Sequence, residues 1–548
     1  MSQVAVCASP IITRPEPIRR LGERYCLPTL ADALFVVLLI RILQLGTTGL
    51  FNDPGTGWHL RTGDQVASSR AVPRVETYSH TRRGYPWIET QWLGDVVMSQ
   101  LFRAGGYSLM ALTAAVILAG TFRWIYRRHV AAGGWPAVAA VLVFVAACGA
   151  SGHFLARPLI ASTVGVPLCF WWATQYARGE GHGWRLWLLI PLAGVWANIH
   201  PGVLGGIATV ALCGVGTIIE ALLSNRREMY RRRMRCAATL VGVSAAMAAA
   251  TLANPYGPAW HRWVVGLMSM RGLGAYVEEW MPTAWSRPET VAAAVLAGAI
   301  GVGAIVRRGS IRPGEALVVI AWAWQGFQSA RHLPLFCLVA ALQIGRMQAR
   351  HSPPGEGTAH SSDSVRRAGC SRSRVVGLVF SPSLRETESQ TPGGLASAAV
   401  VACLSVMLLA GTRIEAIGLG TARPPEDRYS ASAVAFLRSH RPPGPLFNDL
   451  DYGGTLIREL PDMPVFIDDR FELYGEEFIG EYRAAVLRPA DAADNLLDRW
   501  RIRTVLIRTK LPLCGWLSRG RNWFRIYRDP SVAVFVRRVD AQGPEASP

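Results

Sequence analysis

A short polar segment near the N-terminal end carries side chains suited to acid–base and anion chemistry. It reads Phe51-Asn-Asp-Pro-Gly-Thr-Gly-Trp-His-Leu-Arg61. Asp53 could accept a proton from a hydroxyl nucleophile. His59 and Arg61 could bind an anionic group, because the planar fork of arginine matches a phosphate. Each residue also has a structural interpretation: Asp53 as a turn residue before a Pro-Gly pair, and the other two as residues that face a membrane interface.

Two further arginines, Arg157 and Arg331, lie within or beside long apolar runs. An unpaired cation is costly in such a place. Two interpretations stay open for both arginines. Either they pair with nearby acids (Glu89, Glu278 or Glu279), or they neutralise the phosphate of a lipid.

Two histidines also lie at the ends of apolar runs. His200 is either a helix-capping residue or a ligand of a substrate. His332 directly follows Arg331. We group both histidines with the candidate substrate-binding residues.

Composition points to a membrane protein. Half of the 548 residues are hydrophobic, 17% are charged, and the mean hydropathy is +0.22. A soluble chain carries about a quarter charged residues. The formal charge of +19 comes from short arginine clusters between apolar runs, which is typical of membrane topology and not of a nucleic-acid surface. The ten cysteines form no CxxC pair, so neither a disulfide framework nor a zinc site is predicted.

The elements that must position these residues are helices. Eleven apolar runs approach the length that spans a bilayer, roughly 17–25 residues. They lie at 30–50, 106–126, 135–150, 157–176, 184–199, 202–222, 236–253, 289–306, 313–329, 332–347 and 394–411. The pattern predicts an all-α polytopic membrane bundle of about ten or eleven transmembrane helices.

Basic clusters predict the orientation of the bundle. They lie at 19–24, 123–128, 178–185, 226–235, 307–312 and 346–350. If the N-terminus is cytoplasmic and eleven helices alternate, every cluster falls on the cytoplasmic side. The same topology brings the polar motifs described above to the opposite, extracytoplasmic face. Their gathering there predicts a single site.

The chain divides into five predicted segments. We predict a cytoplasmic tail at 1–28, a transmembrane domain at 29–347, a disordered cytoplasmic linker at 348–392, a last transmembrane helix at 393–412 and an extracytoplasmic α/β domain at 421–548. Within the transmembrane domain, the outer loop 51–105 is too polar to span and is expected to lie along the membrane interface.

The predicted α/β domain contains two acidic motifs. The strands expected at 465–467, 504–507 and 532–536 alternate with helices expected at 430–439 and 489–500. The motifs Phe447-Asn-Asp-Leu-Asp-Tyr-Gly-Gly454 and Val465-Phe-Ile-Asp-Asp-Arg-Phe-Glu-Leu-Tyr474 follow or end such strands. They fit either a binding site at the carboxyl edge of the sheet or ordinary turn and cap chemistry.

Several motifs together resemble a known group of proteins. They are Gly57-Trp-His-Leu-Arg-Thr-Gly63, Gly84-Tyr-Pro-Trp87, Trp196-Ala-Asn-Ile-His200, Asn254-Pro-Tyr-Gly257 and Ile467-Asp-Asp-Arg-Phe-Glu-Leu-Tyr474. The chain resembles bacterial multi-pass membrane proteins of the GT-C glycosyltransferase type, which are distantly like protein mannosyltransferases and lipid A sugar transferases. The resemblance touches both the membrane part and the C-terminal domain.

The resemblance implies a polyprenyl-phosphate sugar as donor, used on the extracytoplasmic face of the bacterial inner membrane. The acceptor stays open between a glycan, a lipid and a protein. Asp53 matches an acidic residue of the first outer loop that serves the superfamily as base or metal ligand. Here Asn52 precedes it and Pro54 follows it, in place of the usual paired acids. Dependence on a divalent metal and loss of catalysis both stay open, and Glu89 is the candidate second carboxylate.

The sequence therefore predicts a GT-C-like transferase with Asp53 and Glu89 as catalytic residues. Its predicted substrate-binding residues are His59, Arg61, Arg157, His200, Arg331 and His332. The C-terminal domain is expected to hold the acceptor. Two alternatives are a transporter or flippase of a polar lipid or saccharide, and a non-catalytic subunit of envelope glycan assembly.

Overall fold

The computed structural model describes residues 28–45, 49–270, 278–307, 309–348 and 394–538. Apart from their end residues Pro28 and Gln348, the tail predicted at 1–28 and the linker predicted at 348–392 lie outside the described residues. The described chain consists of a large helical part followed by a small mixed domain that contains one sheet.

Each of the eleven predicted apolar runs contains a helix. These helices are Leu30–Gln44, Trp92–Ala131, Pro136–Ala150, Ile160–Arg178, the pair Trp184–Trp187 and Leu189–Ala197, Val203–Leu222, Arg227–Ala250, Pro288–Val306, Pro313–Gln328, Leu333–Gln348 and Leu395–Leu409. The helix Leu333–Gln348 is buried at nearly every position. It is apolar on all sides because it lies at the centre of the bundle.

Length and composition alone identify fewer membrane spans than the predicted ten or eleven. Within the described residues, four helical segments are long and apolar enough to cross a bilayer: Trp92–Ala131, Pro136–His153, Val203–Leu222 and Pro288–Val306. Two shorter apolar segments are Trp184–Ala197 and Leu395–Leu409. The other predicted spans are helical, but they fall below the length or the hydropathy that this criterion requires.

A break divides the helix Trp92–Ala131 into two parts. Gly105 and Gly106 leave helical geometry, and Gly106 has φ 61°, a conformation that glycine adopts without a steric penalty. The first part belongs to the predicted outer loop 51–105. The second part carries the apolar run.

The outer loop contains one more helix and closes over the bundle. The helix Thr56–Ser69 follows directly after Asp53. Beyond it, Val75 and Pro86 form an antiparallel bridge, so the chain doubles back before it enters the helix Trp92–Ala131. A second short helix outside the apolar runs, Pro258–Ser269, lies between two bundle helices.

The C-terminal domain is built on a four-stranded sheet of order β1-β2-β4-β3. The strands are β1 Leu446–Asn448, β2 Thr504–Arg508, β3 Trp523–Arg528 and β4 Val532–Arg537. β1 and β2 are parallel, and the other pairs are antiparallel. The helices around the sheet are Ala431–His440, Gly453–Glu459, Phe471–Tyr474, Glu476–Leu487, Ala490–Arg499 and Pro512–Arg519.

One predicted strand is wrong. Residues 465–467 are not a strand of the sheet, because the side chain of Asn448 bonds their backbone. Its Oδ1 accepts from the amide of Phe466 at 2.7 Å and its Nδ2 donates to the carbonyl of Ile467 at 2.8 Å. Val465 instead makes a single parallel bridge with Ser79 of the outer loop.

The C-terminal domain and the outer loop are in close backbone contact. A Cβ atom on Gly57 would lie 2.1 Å from the carbonyl oxygen of Gly454, and one on Gly454 would lie 2.1 Å from the carbonyl oxygen of Pro54. Backbone hydrogen bonds join Tyr78 and His80 to Val465. The loop is therefore packed between the bundle and the C-terminal domain.

We predict that Gly57→Ala destabilises this contact. The added methyl group meets a backbone oxygen that no rotamer change can move, and overpacking of this kind costs about 1–3 kcal/mol. The midpoint of thermal unfolding in detergent should fall. Gly120→Ala is the matched control, since a Cβ there meets nothing within 4 Å. Equal midpoints for the two variants would contradict the close packing.

Candidate active site

A cavity of about 830 Å³ lies between one end of the helical bundle and the C-terminal domain. Asp53, Glu89, Arg157, His200 and Arg331 all line it. The structure thus brings five of the eight sequence-predicted site residues to one space. The C-terminal domain forms the opposite wall.

Asp53 is held in an ion pair with Arg157. Its Oδ1 lies 2.8 Å from Nη1 of the guanidinium, and only 4% of Asp53 is exposed. Thr56 donates a hydrogen bond to the other carboxylate oxygen at 3.2 Å. A backbone bond of 2.8 Å between the amide of Ala156 and the carbonyl of Leu50 fixes the two loops beside each other. The partner of Arg157 is therefore Asp53 and not one of the three acids considered from the sequence.

His59 lies behind the ion pair and links it to a second acid. Its Nδ1 is 2.7 Å from Oδ1 of Asp95, and its Nε2 is 3.4 Å from Nη2 of Arg157. Burial and the charge of Arg157 hold the pKa of His59 well below its usual value. A neutral ring that donates from Nδ1 to Asp95 and accepts at Nε2 from Arg157 fits both contacts. His59 is fully buried, so it positions Arg157 and does not line the cavity.

Glu89 is the second carboxylate that the sequence singled out, and it also reaches the cavity. Its Oε1 accepts from the amide of Gln91 at 2.8 Å. Burial, with a contribution from nearby Glu472, raises the pKa of Glu89 to about 8. A carboxyl group with such a pKa holds its proton at neutral pH.

A cation–π contact and an ion pair hold Arg331 on the wall of the cavity. Its guanidinium lies 4.4 Å from the ring centroid of Trp280, and Nη1 is 3.3 Å from Oε1 of Glu279. His153 lies 3.2 Å from the other carboxylate oxygen of Glu279. Burial alone would raise the pKa of Glu279, but Arg331 and His153 together lower it. Arg331 thus has a fixed anionic partner and still lines the cavity.

His200 caps a turn and also lines the cavity. Its Nδ1 accepts from the amide of Gly202 at 3.0 Å and lies 2.7 Å from Oγ of Ser162. These contacts leave the ring proton on Nε2. Burial, then the charges of Arg331 and Arg157, lower the pKa of His200 well below its usual value. Both interpretations of His200 from the sequence therefore fit its position.

Besides His59, two predicted substrate-binding residues, Arg61 and His332, lie outside the cavity lining. Arg61 is exposed and borders a separate groove. It is two positions after His59 on one helix, and a separation of about 200° puts the two side chains on opposite faces. His332 packs near the rings of Trp280 and Trp322.

The C-terminal domain adds acids that the sequence did not assign to the site. Asp449 follows β1 and pairs with Arg508 at the end of β2 at 2.7 Å. Both residues line the cavity. They lie at the carboxyl edge of the parallel pair, where the acidic motif was predicted. Arg428 connects this edge to the outer loop, because it donates to Asp451 at 2.8 Å and to Asn52 at 2.7 Å.

The second acidic motif separates into a buried and a cavity-lining acid. Asp468 is fully buried and accepts two hydrogen bonds from Arg470, at 2.8 and 2.6 Å. Arg470 also pairs with Glu76 of the outer loop. Asp469 lines the cavity instead and accepts from Nε1 of Trp58 at 2.7 Å. Neighbouring side chains of an extended segment point in opposite directions. This alternation is the sequence signal that could have indicated different environments for the two adjacent acids.

A metal site does not emerge from these carboxylates. In the part of the chain that the structure describes, no group of three or more His, Cys, Asp or Glu side chains is arranged to hold a metal ion. Asp53 is paired with a guanidinium and not with another acid. We therefore derive no step through a metal.

The chain is similar to several solved structures. The crystal structure of ArnT from Cupriavidus metallidurans in the apo state matches with a TM-score of 0.50 and 14% identity, over 92% of this chain and 97% of that one. ArnT bound to undecaprenyl phosphate gives 0.49 and 13%, over 94% and 99%. The cryo-EM structure of the arabinofuranosyltransferase AftD from Mycobacteria gives 0.43 and 13%, over 93% of this chain and 40% of that one. No protein-family model and no curated protein matches the chain.

The comparison with apo ArnT extends over nearly the whole of both chains. The chain has a GT-C membrane fold. The resemblance expected from the sequence motifs is confirmed at this level. At 14% identity the likeness concerns the fold alone, so the chemistry must be argued from the cavity.

We predict that Arg470→Met loosens the C-terminal domain of this GT-C fold. The change leaves Asp468 and Glu76 buried without their cation, and breaking a buried pair in this way costs about 3–5 kcal/mol. Hydrogen exchange of residues 465–474 should become faster, and the thermal midpoint should fall. Arg441→Met is the control, because that arginine pairs with Asp462 on the surface. Slow exchange retained in Arg470→Met would contradict the structural role of the pair.

Proposed function

We propose that this chain is a membrane glycosyltransferase that moves a sugar from a polyprenyl-phosphate-linked donor to an acceptor on the extracytoplasmic face. The observation that carries the proposal is the Asp53–Arg157 ion pair on the wall of a large cavity in a GT-C fold. A carboxylate that is held in place on the wall of a cavity is suited to accept a proton.

The donor is proposed to bind with its phosphate near Arg331. This guanidinium lines the cavity, and arginine is well matched to phosphate oxygens. The same cavity has apolar lining from Leu45, Trp263 and Leu267. The helix Pro258–Ser269, which carries two of these residues, exposes Val265 and Met268 on its surface. A prenyl chain could therefore leave the cavity along this helix towards the lipid.

The proposed reaction is a single displacement. Asp53 takes the proton of the acceptor hydroxyl, whose oxygen forms a bond to the anomeric carbon of the sugar. The bond between that carbon and the phosphate oxygen breaks, and polyprenyl phosphate leaves. Arg331 and the neutral donor His200 stabilise the charge that grows on the leaving phosphate, an electrostatic contribution that is usually large in catalysis.

In this scheme Arg157 positions Asp53, the proposed base. Its ion pair with Asp53 holds the carboxylate in one orientation. His59 and Asp95 in turn hold the guanidinium from behind. Glu89, neutral at pH 7, is suited to donate a hydrogen bond to the bound sugar.

We predict that Asp53→Asn lowers sugar transfer by about 100-fold or more, the usual contribution of a general base. The measurement is transfer of labelled sugar from undecaprenyl-phosphate-linked pentoses and hexoses to an envelope extract, in membranes that contain the full chain. Asp64→Asn is the matched control, since Asp64 lies in the same loop and pairs with Arg103 away from the cavity. Unchanged transfer in Asp53→Asn would remove Asp53 as the base.

The same membranes distinguish the proposed transferase from a transporter when movement of the lipid-linked saccharide across the bilayer is measured alongside sugar transfer. If wild-type membranes move lipid-linked saccharide across the bilayer and transfer no sugar, the transport function replaces the enzyme. Protease access to the C-terminal domain from the cytoplasmic side would also contradict the proposed location of the site.

We predict opposite outcomes for two arginines of the sequence-based site. Arg331→Gln should raise the KM for the lipid-linked donor by about tenfold or more, because a charge-assisted hydrogen bond to phosphate is lost. Arg61→Gln should leave the KM near that of the wild type, because Arg61 lies in a separate groove. Steady-state kinetics with increasing donor test both. A raised KM in Arg61→Gln alone would favour the assignment made from the sequence.

A further inference from the structure

Asp469 is a carboxylate of the C-terminal domain in the wall of the proposed active site. Its neighbour Asp468 is fully buried in the network of Arg470. Asp469 is partly exposed and lines the same cavity as Asp53. The two adjacent acids therefore have different roles, and that of Asp469 is not explained by the packing of the domain.

A chain of contacts fixes Asp469 relative to Asp53. Nε1 of Trp58 donates to Oδ1 of Asp469 at 2.7 Å, and the indole is stacked on His59 with ring centroids 3.7 Å apart. His59 contacts Arg157, which pairs with Asp53. A continuous series of side-chain contacts therefore connects the two carboxylates.

The backbone of the Asp53 loop also passes directly beside this carboxylate. A Cβ atom on Gly55 would lie 2.7 Å from Oδ2 of Asp469. Glycine permits this approach because it has no side chain. The carboxylate of Asp469 therefore lies beside Gly55, which is two residues after Asp53 in the loop.

We propose that Asp469 is a second catalytic residue, which binds the acceptor together with Asp53 at the junction of the two domains. Asp53 accepts the proton of the attacking hydroxyl, and Asp469 hydrogen bonds to a second, neighbouring oxygen of the acceptor. The acceptor class that fits is a saccharide or another compound with adjacent oxygens. This inference rests on the proposed function. It makes the C-terminal domain part of the active site, beyond the acceptor-holding role expected from the sequence.

Electrostatics support a division of labour between the two acids. Burial, and then the negative charge of Asp53, raise the pKa of Asp469 to about 8, while Arg157 and the Trp58 hydrogen bond oppose the shift and Asp468 adds to it. Two carboxyl groups that share a site do not both ionise readily. Asp53 is paired with the guanidinium of Arg157, whereas Asp469 holds a proton that it can donate to an acceptor oxygen.

The proposed step is balanced without a further reactant. The proton of the attacking hydroxyl moves to Asp53, one carbon–oxygen bond forms at the anomeric carbon, and one breaks as polyprenyl phosphate leaves. The proton of Asp469 is shared in a hydrogen bond and is not transferred. Asp53 returns its proton to water after the product leaves.

The test compares Asp469→Ala, Asp469→Asn and the control Asp462→Asn in the full chain. Asp462 is an exposed acid of the same domain. With the undecaprenyl-phosphate-linked sugars and envelope extract described above, Asp469→Ala should lose roughly 100-fold in transfer. Asp469→Asn, which keeps a hydrogen-bond donor, should lose less. Binding of undecaprenyl phosphate, followed by tryptophan fluorescence, should be the same in all three variants and the wild type.

The pH profile is an independent readout. A group that must hold its proton makes transfer fall as pH rises through its pKa, here about 8. Because the pKa of Glu89 is also raised to about 8, the comparison is made in a Glu89→Gln background. Asp469→Asn cannot lose a proton, so in that background it should remove the alkaline decline. A decline that persists unchanged would assign the titration to another group and would overturn the proposed protonated role.

The outcomes distinguish this inference from the function on which it rests. If the wild type transfers sugar, Asp53→Asn does not, and Asp469→Ala equals Asp462→Asn, only the role of Asp469 is wrong. If the wild type transfers none of the sugars, the proposed function fails together with it. Loss of undecaprenyl phosphate binding in Asp469→Ala would mean that the carboxylate supports the fold of the donor site, which also contradicts the proposal.

Discussion

The ion pair between Asp53 and Arg157 is the interaction on which the site depends. Neither charge would be stable alone in a largely buried place at the end of an apolar bundle, because burying an unpaired ion is costly. The pair forms because a backbone bond fixes the two loops, and because His59 and Asp95 occupy the space behind the guanidinium. The result is a carboxylate with a defined orientation on a cavity wall.

The second constraint is the junction between the outer loop and the C-terminal domain. Glu76 belongs to the loop, and Asp468 and Arg470 belong to the domain, yet the three form one buried network. The close approach of Gly57 and Gly454 leaves no room for displacement. The cavity therefore has two walls of different origin, one from the bundle and one from the domain. Their relative position is set by charge neutralisation as much as by apolar packing.

The sequence predicts the helices of the apolar bundle, because a buried helix needs an apolar run and each of the eleven runs contains a helix. It does not predict the helices Thr56–Ser69 and Pro258–Ser269, which lie outside these runs. It also predicted that Asp53, Glu89, Arg157, His200 and Arg331 gather, since ionisable residues at the ends of such runs are rarely accidental. It could not assign Arg61, whose orientation depends on the phase of a helix with polar residues on both faces. The composition of residues 465–467 predicts a strand, which the structure does not contain there. Its actual partner, the side chain of Asn448, is a tertiary contact that local patterns do not report.

Local sequence patterns also do not distinguish Asp468 from Asp469, and the difference between these two acids has a functional consequence. The two residues are chemically identical and adjacent, so composition cannot tell which one faces the cavity. Tertiary contacts determine which acid faces the cavity. Arg470 and Tyr474 donate hydrogen bonds to Asp468 inside the domain, and Trp58 of the outer loop donates one to Asp469 at the cavity. A residue of the outer loop thus holds a carboxylate of the C-terminal domain against the cavity. Trp58 also stacks on the histidine that supports Arg157. A change in the position of the domain can therefore reach the Asp53 ion pair through this indole, as well as through the hydrogen bond from Arg428 to Asn52.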